Sequence, residues 1–316
     1  MLPAPDALTG YEPTERLNAD ARPAPAWRTE LRRIPNFRNA LSVVSCYVQT
    51  LGIICVAVWV NNPLVWVGAF LLMGRAHAQF AALMHEAAHR MLFSNKKVND
   101  FVGRWFLGYP SFTPTDLYRR GHMAHHRDEF GPDEPDIPLY RGYPIEKASL
   151  RRKLVRDATG QTGWKLFKGL LRGVRAEGPG GQQARRIVAI QLVLIAASIA
   201  LGHPWVYWLL WFAPYMTVWR VINRLRSIAE HGGMKQSKDR RETTHSVRQS
   251  WAPRFMLVPF HIGWHLAHHV DSGIPMKHLP RYHAELVKSG YVNEALEYPS
   301  YTALWRTLSS RAPADA

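Results

Sequence analysis

Residues 41–60 read LSVVSCYVQTLGIICVAVWV and residues 63–84 read PLVWVGAFLLMGRAHAQFAALM, and these two stretches decide the fold class. The first contains no charged residue, and the second contains Arg75 as its single charged residue. A helix that crosses a lipid bilayer needs roughly 20 mostly apolar residues, and each stretch supplies them. Asn61 and Asn62 link the stretches without any lysine or arginine. The pair is therefore predicted to form a transmembrane hairpin.

A second pair of apolar stretches follows later in the chain. Residues 187–201 read IVAIQLVLIAASIAL, residues 205–222 read WVYWLLWFAPYMTVWRVI, and Gly202-His203-Pro204 joins them. A single run of 15 apolar residues would favour a buried helix of a soluble protein. Two matched hairpins with uncharged turns favour a membrane protein instead. The sequence therefore predicts an all-α integral membrane fold with four transmembrane helices in two hairpins.

The charge distribution predicts how these hairpins are oriented. The chain of 316 residues has 40 Lys and Arg against 24 Asp and Glu, a formal net charge of +16. Residues 90–186 carry the largest share of this excess, residues 1–40 contain six arginines, and positively charged flanks stay in the cytoplasm. We expect residues 1–40 to be a cytoplasmic N-terminal segment and residues 41–316 to be a single multi-pass membrane domain with a cytoplasmic helical cap. Both hairpin turns are then outside, and both termini inside.

One basic segment has a further pattern. If residues 164–175 are helical, apolar and basic side chains separate onto two faces, with Trp164 at the boundary, which is typical of a helix lying in the headgroup plane of a membrane. The apolar face contains Leu166, Phe167, Leu170, Leu171 and Val174, and the basic face contains Lys165, Lys168, Arg172 and Arg175. Positive cytoplasmic loops that face anionic lipid explain the net charge. Since the chain has no nucleic-acid-binding motif, no nucleic acid partner is expected.

The two cysteines exclude other classes of protein. Cys46 and Cys55 both lie in the first apolar stretch, and the chain has no further cysteine. A disulfide-stabilised scaffold is therefore excluded. The chain also cannot hold an iron–sulfur cluster of its own, because such a cluster needs about four thiolates.

Histidine is concentrated in three short boxes. Residues 85–89 read HEAAH, residues 122–126 read HMAHH, residues 265–269 read HLAHH, and Glu230-His231 follows the last apolar stretch. Side chains three or four residues apart share one face of a helix, so each box directs several imidazoles to one point. Neutral imidazole binds iron, zinc, copper and nickel. Nine of the fifteen histidines are therefore predicted to bind metal: His85, His89, His122, His125, His126, His231, His265, His268 and His269.

The HEAAH box alone permits another interpretation. It matches the H-E-x-x-H zinc signature, in which two histidines bind zinc and the glutamate is the catalytic base, so a membrane zinc metalloprotease is an alternative. One zinc with three protein ligands would leave the HMAHH and HLAHH boxes without a role. Nine histidines suit two metals with four or five ligands each. A metal transporter is disfavoured, because its ligands would lie near the bilayer midplane, whereas His85 lies about 33 Å along its helix from Pro63.

The three boxes, in this order and spacing, resemble the integral-membrane fatty acid desaturase superfamily, which includes related hydroxylases and ketolases. The two hairpins with a long loop between them, and the stretch HHVDSGIPMKHLPRYHAEL over residues 268–286, are also similar to that family. The resemblance covers residues 40–290. It implies that the histidines of the three boxes hold two irons that activate O2, with His231 matching an additional family ligand.

The resemblance also implies an activity. We expect an O2-dependent enzyme that introduces a double bond into a fatty acyl or lipid chain, with a lipid or terpenoid hydroxylase or ketolase as the alternative within the superfamily. Glu86 and Glu230 are expected to orient histidines or balance charge. The chain has no dinucleotide-binding fingerprint, so electrons must come from an external ferredoxin-like or cytochrome-like donor with its reductase. The active site is expected on the cytoplasmic side of the bilayer.

Overall fold

The structure is a computed structural model that describes residues 3, 5–8, 10–132 and 134–312, and it is mostly helical. In chain order the α-helices are α1 (Pro25–Leu31), α2 (Asn36–Val60), α3 (Pro63–Ala88), α4 (Lys96–Val102), α5 (Thr115–Arg127), α6 (Ile137–Tyr140), α7 (Lys147–Ala158), α8 (Gln161–Val174), α9 (Gly178–Ala200), α10 (Pro204–Val206), α11 (Ala213–Met216), α12 (Val218–His231), α13 (Trp251–Met256), α14 (His265–Val270), α15 (Leu279–Lys288) and α16 (Tyr301–Leu308).

The remaining regular elements are short. Two segments are π-helical, Gly103–Gly108 and Tyr207–Phe212. Three are 3₁₀ turns, Pro5–Leu8, Arg240–Glu242 and Pro259–His261. Strands β1 (Ser246–Val247) and β2 (Glu297–Tyr298) pair in parallel, with Ser246 opposite Glu297. The fold is therefore built on helix packing, as the sequence predicts.

The chain divides into two compact units. The hairpin unit comprises residues 36–119 and 152–223, and the histidine unit comprises residues 1–35, 120–151 and 224–316. The unit boundaries fall inside helices α5, α7 and α12. The assignment of residues 41–316 to a single domain stays a prediction.

Helices α2 and α3 form the predicted hairpin of the hairpin unit. Asn61 turns the chain with a φ of 46°, and the side chain of Asn62 accepts a hydrogen bond from the backbone N–H of Leu64 at 2.9 Å. Pro63 occupies the first turn of α3, where its missing N–H has no helical partner to lose. The outer surface of the hairpin is apolar: Val48 is 63% exposed and Trp59 is 86% exposed. Such a surface is suited to lipid rather than to water.

Three helical segments are long and apolar enough to cross a membrane among the residues that the structure describes. They are Pro25–Val60, which contains α1 and α2, Pro63–Ala88 and Gly178–Ala200. They include the predicted spans 41–60 and 63–84 and nearly all of 187–201. Together with the apolar outer surface, they indicate a membrane-associated protein.

The fourth predicted span, residues 205–222, is divided instead of continuous. It contains α10, the π-helical segment Tyr207–Phe212, α11 and the beginning of α12. Pro214 has no N–H to donate, and Thr217 leaves the helical region with φ −123° and ψ −81°. Helix α12 then starts at Val218 and continues to His231. A fourth span therefore stays a prediction.

The histidine unit has its own core around α15 and α16. Leu279, Tyr282 and Leu286 of α15 are fully buried, and the Tyr282 hydroxyl donates to the carbonyl of Ala21 at 2.8 Å. Helix α14 packs against α15. This packing fixes the backbone of the segment that contains the third histidine box.

Candidate metal centre

Seven of the nine predicted ligands lie together in the histidine unit. They come from three helix segments: the last two turns of α5, the last residue of α12, and α14. The i, i+3 and i+4 spacings place the side chains of each box on one helix face, as the sequence predicts. All are buried except His126, which is half-buried. The seven are His122, His125, His126, His231, His265, His268 and His269.

The first group of imidazoles is made by His122, His126 and His268. The Nε2 atom of His126 lies 3.1 Å from the Nε2 atom of His122 and 3.1 Å from the Nε2 atom of His268. The same ring nitrogen of each residue therefore faces a common point.

The second group contains His125, His231, His265 and His269. The Nε2 atom of His265 lies 3.1 Å from that of His231 and 3.0 Å from that of His269. His125, His231 and His269 also offer nitrogen atoms that all lie within 4.8 Å of one another. Each group therefore offers donor atoms that could hold a metal ion.

The hydrogen-bond partner of His231 indicates which of its ring nitrogens could bind a metal. His231 Nδ1 lies 2.8 Å from the carbonyl oxygen of Thr243, which can only accept, so Nδ1 must carry the proton. In the neutral ring Nε2 then carries no proton, and its lone pair can bind a metal. Ligands at right angles around a metal, with bonds of about 2.1 Å, lie about 3.0 Å apart. The observed Nε2 spacings match this value, and a cation between the lone pairs would relieve their repulsion.

Carboxylates accept hydrogen bonds from the Nδ1 atoms of two of these histidines, His125 and His269. Glu134 accepts a short hydrogen bond from His125 Nδ1 and another from the Tyr140 hydroxyl. Glu129 accepts from His269 Nδ1 at 2.5 Å and also pairs with Arg240 at 2.7 Å. Such partners fix the tautomer and orientation of histidines that bind metals.

Burial keeps most of the second group neutral. Desolvation lowers the pKa of His231, His265 and His269 well below its ordinary value, and only the neutral ring can bind a metal. For His125, desolvation also lowers the pKa, but the hydrogen bond and charge of Glu134 outweigh it, so that the pKa is raised. Desolvation raises the pKa of Glu129, and Arg240 opposes this effect.

Glu129 and Glu134 are not among the residues predicted from the sequence. Both lie in residues 128–136, which read DEFGPDEPD and are unusually acidic for this basic chain. This acidic segment directly after the HMAHH box is the signal that could have identified them. It would not have separated Glu129 from its neighbour Asp128, whose carboxylate instead accepts from Gln236 at 2.8 Å.

His85 and His89 lie in the hairpin unit. His85 is in the last turn of α3, His89 is its C-cap residue, and their ring centroids are 4.7 Å apart. The box therefore follows directly from the second apolar stretch, as predicted. Arg119 donates to the carbonyls of Ala88 and Ala87 at 2.9 and 3.0 Å. Arg119 thus stabilises the end of the helix that positions both histidines.

Asn99 holds the same turn from another side. It is fully buried, and its Nδ2 donates to the carbonyl of Ala87 at 2.9 Å. Its Oδ1 accepts from the backbone N–H groups of Leu92 and Phe93 at 3.0 and 3.2 Å. The amide of Asn99 therefore helps to set the chain direction after His89.

Glu86 and Glu230, the two predicted supporting carboxylates, are placed differently. Glu86 is buried in the last turn of α3, between the two histidines of its box. Glu230 accepts from Arg226 Nε at 2.6 Å, and its Oε1 lies 3.6 Å from His265 Nδ1. Desolvation raises the pKa of Glu230, and Arg226 opposes this shift.

Four histidines outside the predicted set bond to acceptors of the chain itself. His77 lies 3.0 Å from the carbonyl of Trp211, and His245 lies 2.7 Å from that of Gly232. The other two contacts are His278 with the carbonyl of Arg33 at 3.2 Å and His283 with Glu297 at 3.1 Å. These contacts give the four rings structural roles within the fold.

Comparison with known proteins places this geometry in context. A family model described as Fatty acid desaturase matches residues 15–302. The chain is 26% identical to the dihydrorhizobitoxine desaturase of Bradyrhizobium elkanii over 263 residues, which is 77% of this chain and 73% of that protein. It is 25% identical to a chloroplastic omega-6 fatty acid desaturase of Glycine max, over 86% of this chain and 68% of that protein. A shorter match, 36% identical over 87 residues, is to the sn-1 oleoyl-lipid 12-desaturase of Arthrospira platensis, covering 28% of this chain and 23% of that protein.

Proposed function

Since the chain belongs to the fatty acid desaturase family and is an oxidoreductase, we propose that it introduces a double bond into a fatty acyl or lipid chain, using O2 and two bound irons. The observation that carries this proposal is the convergence of seven imidazoles, six of which have an Nε2 atom 3.0 or 3.1 Å from the Nε2 atom of a neighbouring histidine. A structural role gives no reason to bring so many buried imidazoles together.

The proposal assigns all nine histidines to the two irons. His122, His126 and His268 belong to one iron, and His125, His231, His265 and His269 to the other. His85 and His89 are assigned to the first iron, since three histidines leave it short of ligands. The spacing of the HEAAH box at the end of α3 supports this assignment.

The irons would supply the redox chemistry and O2 activation that remove hydrogens from an unactivated C–H bond, which side chains alone cannot do. The protein contributes orientation. Glu129, Glu134 and the Thr243 carbonyl hold the Nδ1 protons of His269, His125 and His231, so that the Nε2 atoms of these three rings stay available as ligands. The same carboxylates balance part of the positive charge of the metals. Burial of the ring cluster excludes water from the reaction.

Glu86 and Glu230 have supporting roles in this proposal. Glu230 lies near His265 and is paired with Arg226, which suits charge balance rather than proton transfer. Glu86 is a positioning group for its box, and not the base that a zinc protease would require. A zinc protease would not need the histidines outside HEAAH. Their presence therefore supports the di-iron proposal over a zinc protease.

We propose a multi-pass membrane placement with four spans. The apolar stretches 41–60, 63–84 and 187–201 provide three of them, and residues 205–222 provide the fourth as a divided helix. Both termini and a helical cap with the metal centre are on the cytoplasmic side. The arginine-rich flanks support this orientation.

The electrons must come from another protein. Removal of two hydrogens from an acyl chain with O2 as the oxidant requires two further electrons, and the cysteines of this chain cannot form a cluster to store them. A ferredoxin-like or cytochrome-like donor with its reductase fits this need. An acidic donor would be steered to the basic cytoplasmic surface by charge.

The named relatives support an acyl or lipid substrate, since two of the three are fatty acid or lipid desaturases by name. The third is named for dihydrorhizobitoxine, so members similar to this chain also act on other molecules. A lipid or terpenoid hydroxylase or ketolase remains the alternative reaction.

Lipid mass profiles of cells with and without the gene test this function. We expect the gene to produce acyl chains that are lighter by two hydrogens, in an O2-dependent manner. Products that are heavier by one oxygen would identify a hydroxylase instead. An unchanged lipid profile, with an active electron donor present, would contradict a lipid substrate.

A further inference from the structure

Helix α8 (Gln161–Val174) presents one outer face that the proposed chemistry does not use. At 3.6 residues per turn, Lys165, Lys168 and Arg172 lie on the same side of the helix, and Arg175 continues that side just beyond its end. All four are exposed. Trp164, which is 50% exposed, borders this side, and Lys168 Nζ lies 6.0 Å from the centroid of its indole ring. We call these five residues the basic face of α8.

The opposite side of α8 is fixed against the hairpin unit. A Cβ atom at Gly163 would lie 2.3 Å from the carbonyl oxygen of Met216, so only glycine permits this approach. The ring of Phe167 lies 5.1 Å from that of Phe212 and 6.4 Å from that of Phe112, measured between centroids. The basic face is therefore held outward by packing.

Helix α8 also lies beside the start of a candidate span. Arg185, near the beginning of α9, donates to the carbonyls of Val174 and Ala176 at 3.0 and 3.1 Å. A Cβ atom at Gly173 would lie 3.4 Å from that of Ala184. The uncharged part of α9 starts only at Ile187. The basic face is therefore level with the end of the span, where the headgroups of a bilayer lie.

The charged side chains of the basic face are all cationic, and the nearest acidic residues along the chain, Asp157 and Glu177, lie outside the helix. Residues 158–176 contain no aspartate or glutamate. Lysine and arginine near a membrane surface attract anionic headgroups, and tryptophan prefers the same interface. Leu171, next to Trp164 on the helix surface, is also exposed. Exposed apolar side chains beside the charges favour a lipid surface over an acidic protein as the partner.

We propose that the basic face of α8 is a binding site for anionic phospholipid headgroups. Four cations would contact the headgroup phosphates, while Trp164 and Leu171 reach the outer part of the acyl region. The inference rests on the membrane placement in the proposed function, and it does not depend on the metals.

The experiment uses the full chain in phosphatidylcholine nanodiscs that also contain phosphatidylglycerol. A fluorophore is attached at Gly169→Cys, since a Cβ atom there meets no atom within 4 Å, and Cys55→Ala removes the exposed native thiol. Quenching by brominated phosphatidylglycerol is compared with quenching by brominated phosphatidylcholine at the same mole fraction. Flotation with liposomes separately reports insertion of the spans.

We expect the anionic quencher to be several-fold more effective than the zwitterionic one. Neutralisation of all four cations to glutamine should abolish this difference. The matched control exchanges the cations while conserving charge, with Lys165→Arg, Lys168→Arg, Arg172→Lys and Arg175→Lys, and should retain it. Equal quenching by both lipids in the inserted protein would overturn the proposal.

Two further outcomes keep the alternatives distinct. If the glutamine variant keeps its preference for phosphatidylglycerol but is reduced more slowly by an acidic donor, the face binds the donor protein and the lipid proposal is wrong. If the protein fails to float with liposomes, the membrane placement itself is wrong. The proposed lipid site, which rests on that placement, is then wrong as well.

Discussion

Glu134 shows how much of the candidate centre depends on single side chains. Its carboxylate accepts from His125, from the Tyr140 hydroxyl and from the backbone N–H of Phe130. These bonds hold the pKa of Glu134 low despite its desolvation, so the group is an anion that orients His125. A metal ligand without such a partner is less basic and less well aligned.

We therefore predict that Glu134→Gln weakens metal binding by about 10-fold to 100-fold, the usual cost of losing a partner of a ligand. The measurement is the metal content of purified protein after dialysis against graded chelator. Glu294→Gln, at an exposed site away from the cluster, is the control and should behave as the unaltered protein does. Equal retention of metal by both variants would show that Glu134 does not support a ligand.

The role of Glu86 is tested by its amide counterpart. In a zinc protease Glu86→Gln abolishes turnover, because the carboxylate must accept a proton from water. In the di-iron proposal the variant keeps the box in place and retains most of its desaturation activity. Near-complete loss of activity with unchanged metal content would count against the proposal.

The histidines could be predicted from the sequence, whereas their partners could not. HxxxH and HxxHH spacings fix which side chains share a helix face, so each box is visible locally. The bond between His269 and Glu129 joins residues 140 positions apart, and only the tertiary fold brings them together. Local sequence also gives no reason to rank Glu134 above Asp136.

At the scale of elements, the end of α3 depends strongly on a single side chain, that of Arg119. Arg119 donates to two terminal carbonyls of α3 and to Asp100 at 2.6 Å, and it is largely buried. Its neighbour Arg120 is exposed. The two arginines therefore offer a matched pair of variants.

We predict that Arg119→Gln destabilises the protein by about 2 kcal/mol, the typical value for lost hydrogen bonds to a charged group, and lowers its metal content. Arg120→Gln should leave both quantities unchanged. Thermal unfolding and metal analysis of the two purified variants provide the comparison. A loss of metal in Arg120→Gln alone would contradict this role for Arg119.

Helices can be predicted from the sequence where a long apolar stretch is uninterrupted. The three uninterrupted apolar stretches correspond to helices, because length and composition decide such segments in a membrane. Residues 205–222 have similar composition, but the helix is interrupted near Pro214 and Thr217. Apolarity alone does not report whether the helix remains continuous, so this segment was predicted as simpler than it is.

At the scale of the whole molecule, orientation in the bilayer is the untested consequence of the charge pattern. Both hairpin turns lack lysine and arginine, while residues 90–186 and the N-terminal forty residues are rich in them. If this pattern sets the topology, the two turns are on one side of the membrane and the chain after α12 is on the other.

Cysteine labelling in intact cells should show this arrangement directly. With Cys55→Ala as background, Asn61→Cys and His203→Cys are expected to react with an impermeant reagent from outside. Lys238→Cys, which is exposed and follows α12, should react only after the cells are opened. The reverse pattern would overturn the placement of both turns.

The central claim is that this chain binds two irons through its clustered histidines, and metal analysis of catalytically active protein tests it most directly. The account predicts about two irons per chain, from seven converging imidazoles and two more at the end of α3, with four or five nitrogen ligands for each metal. Active protein that holds one tightly bound zinc and no iron would contradict it.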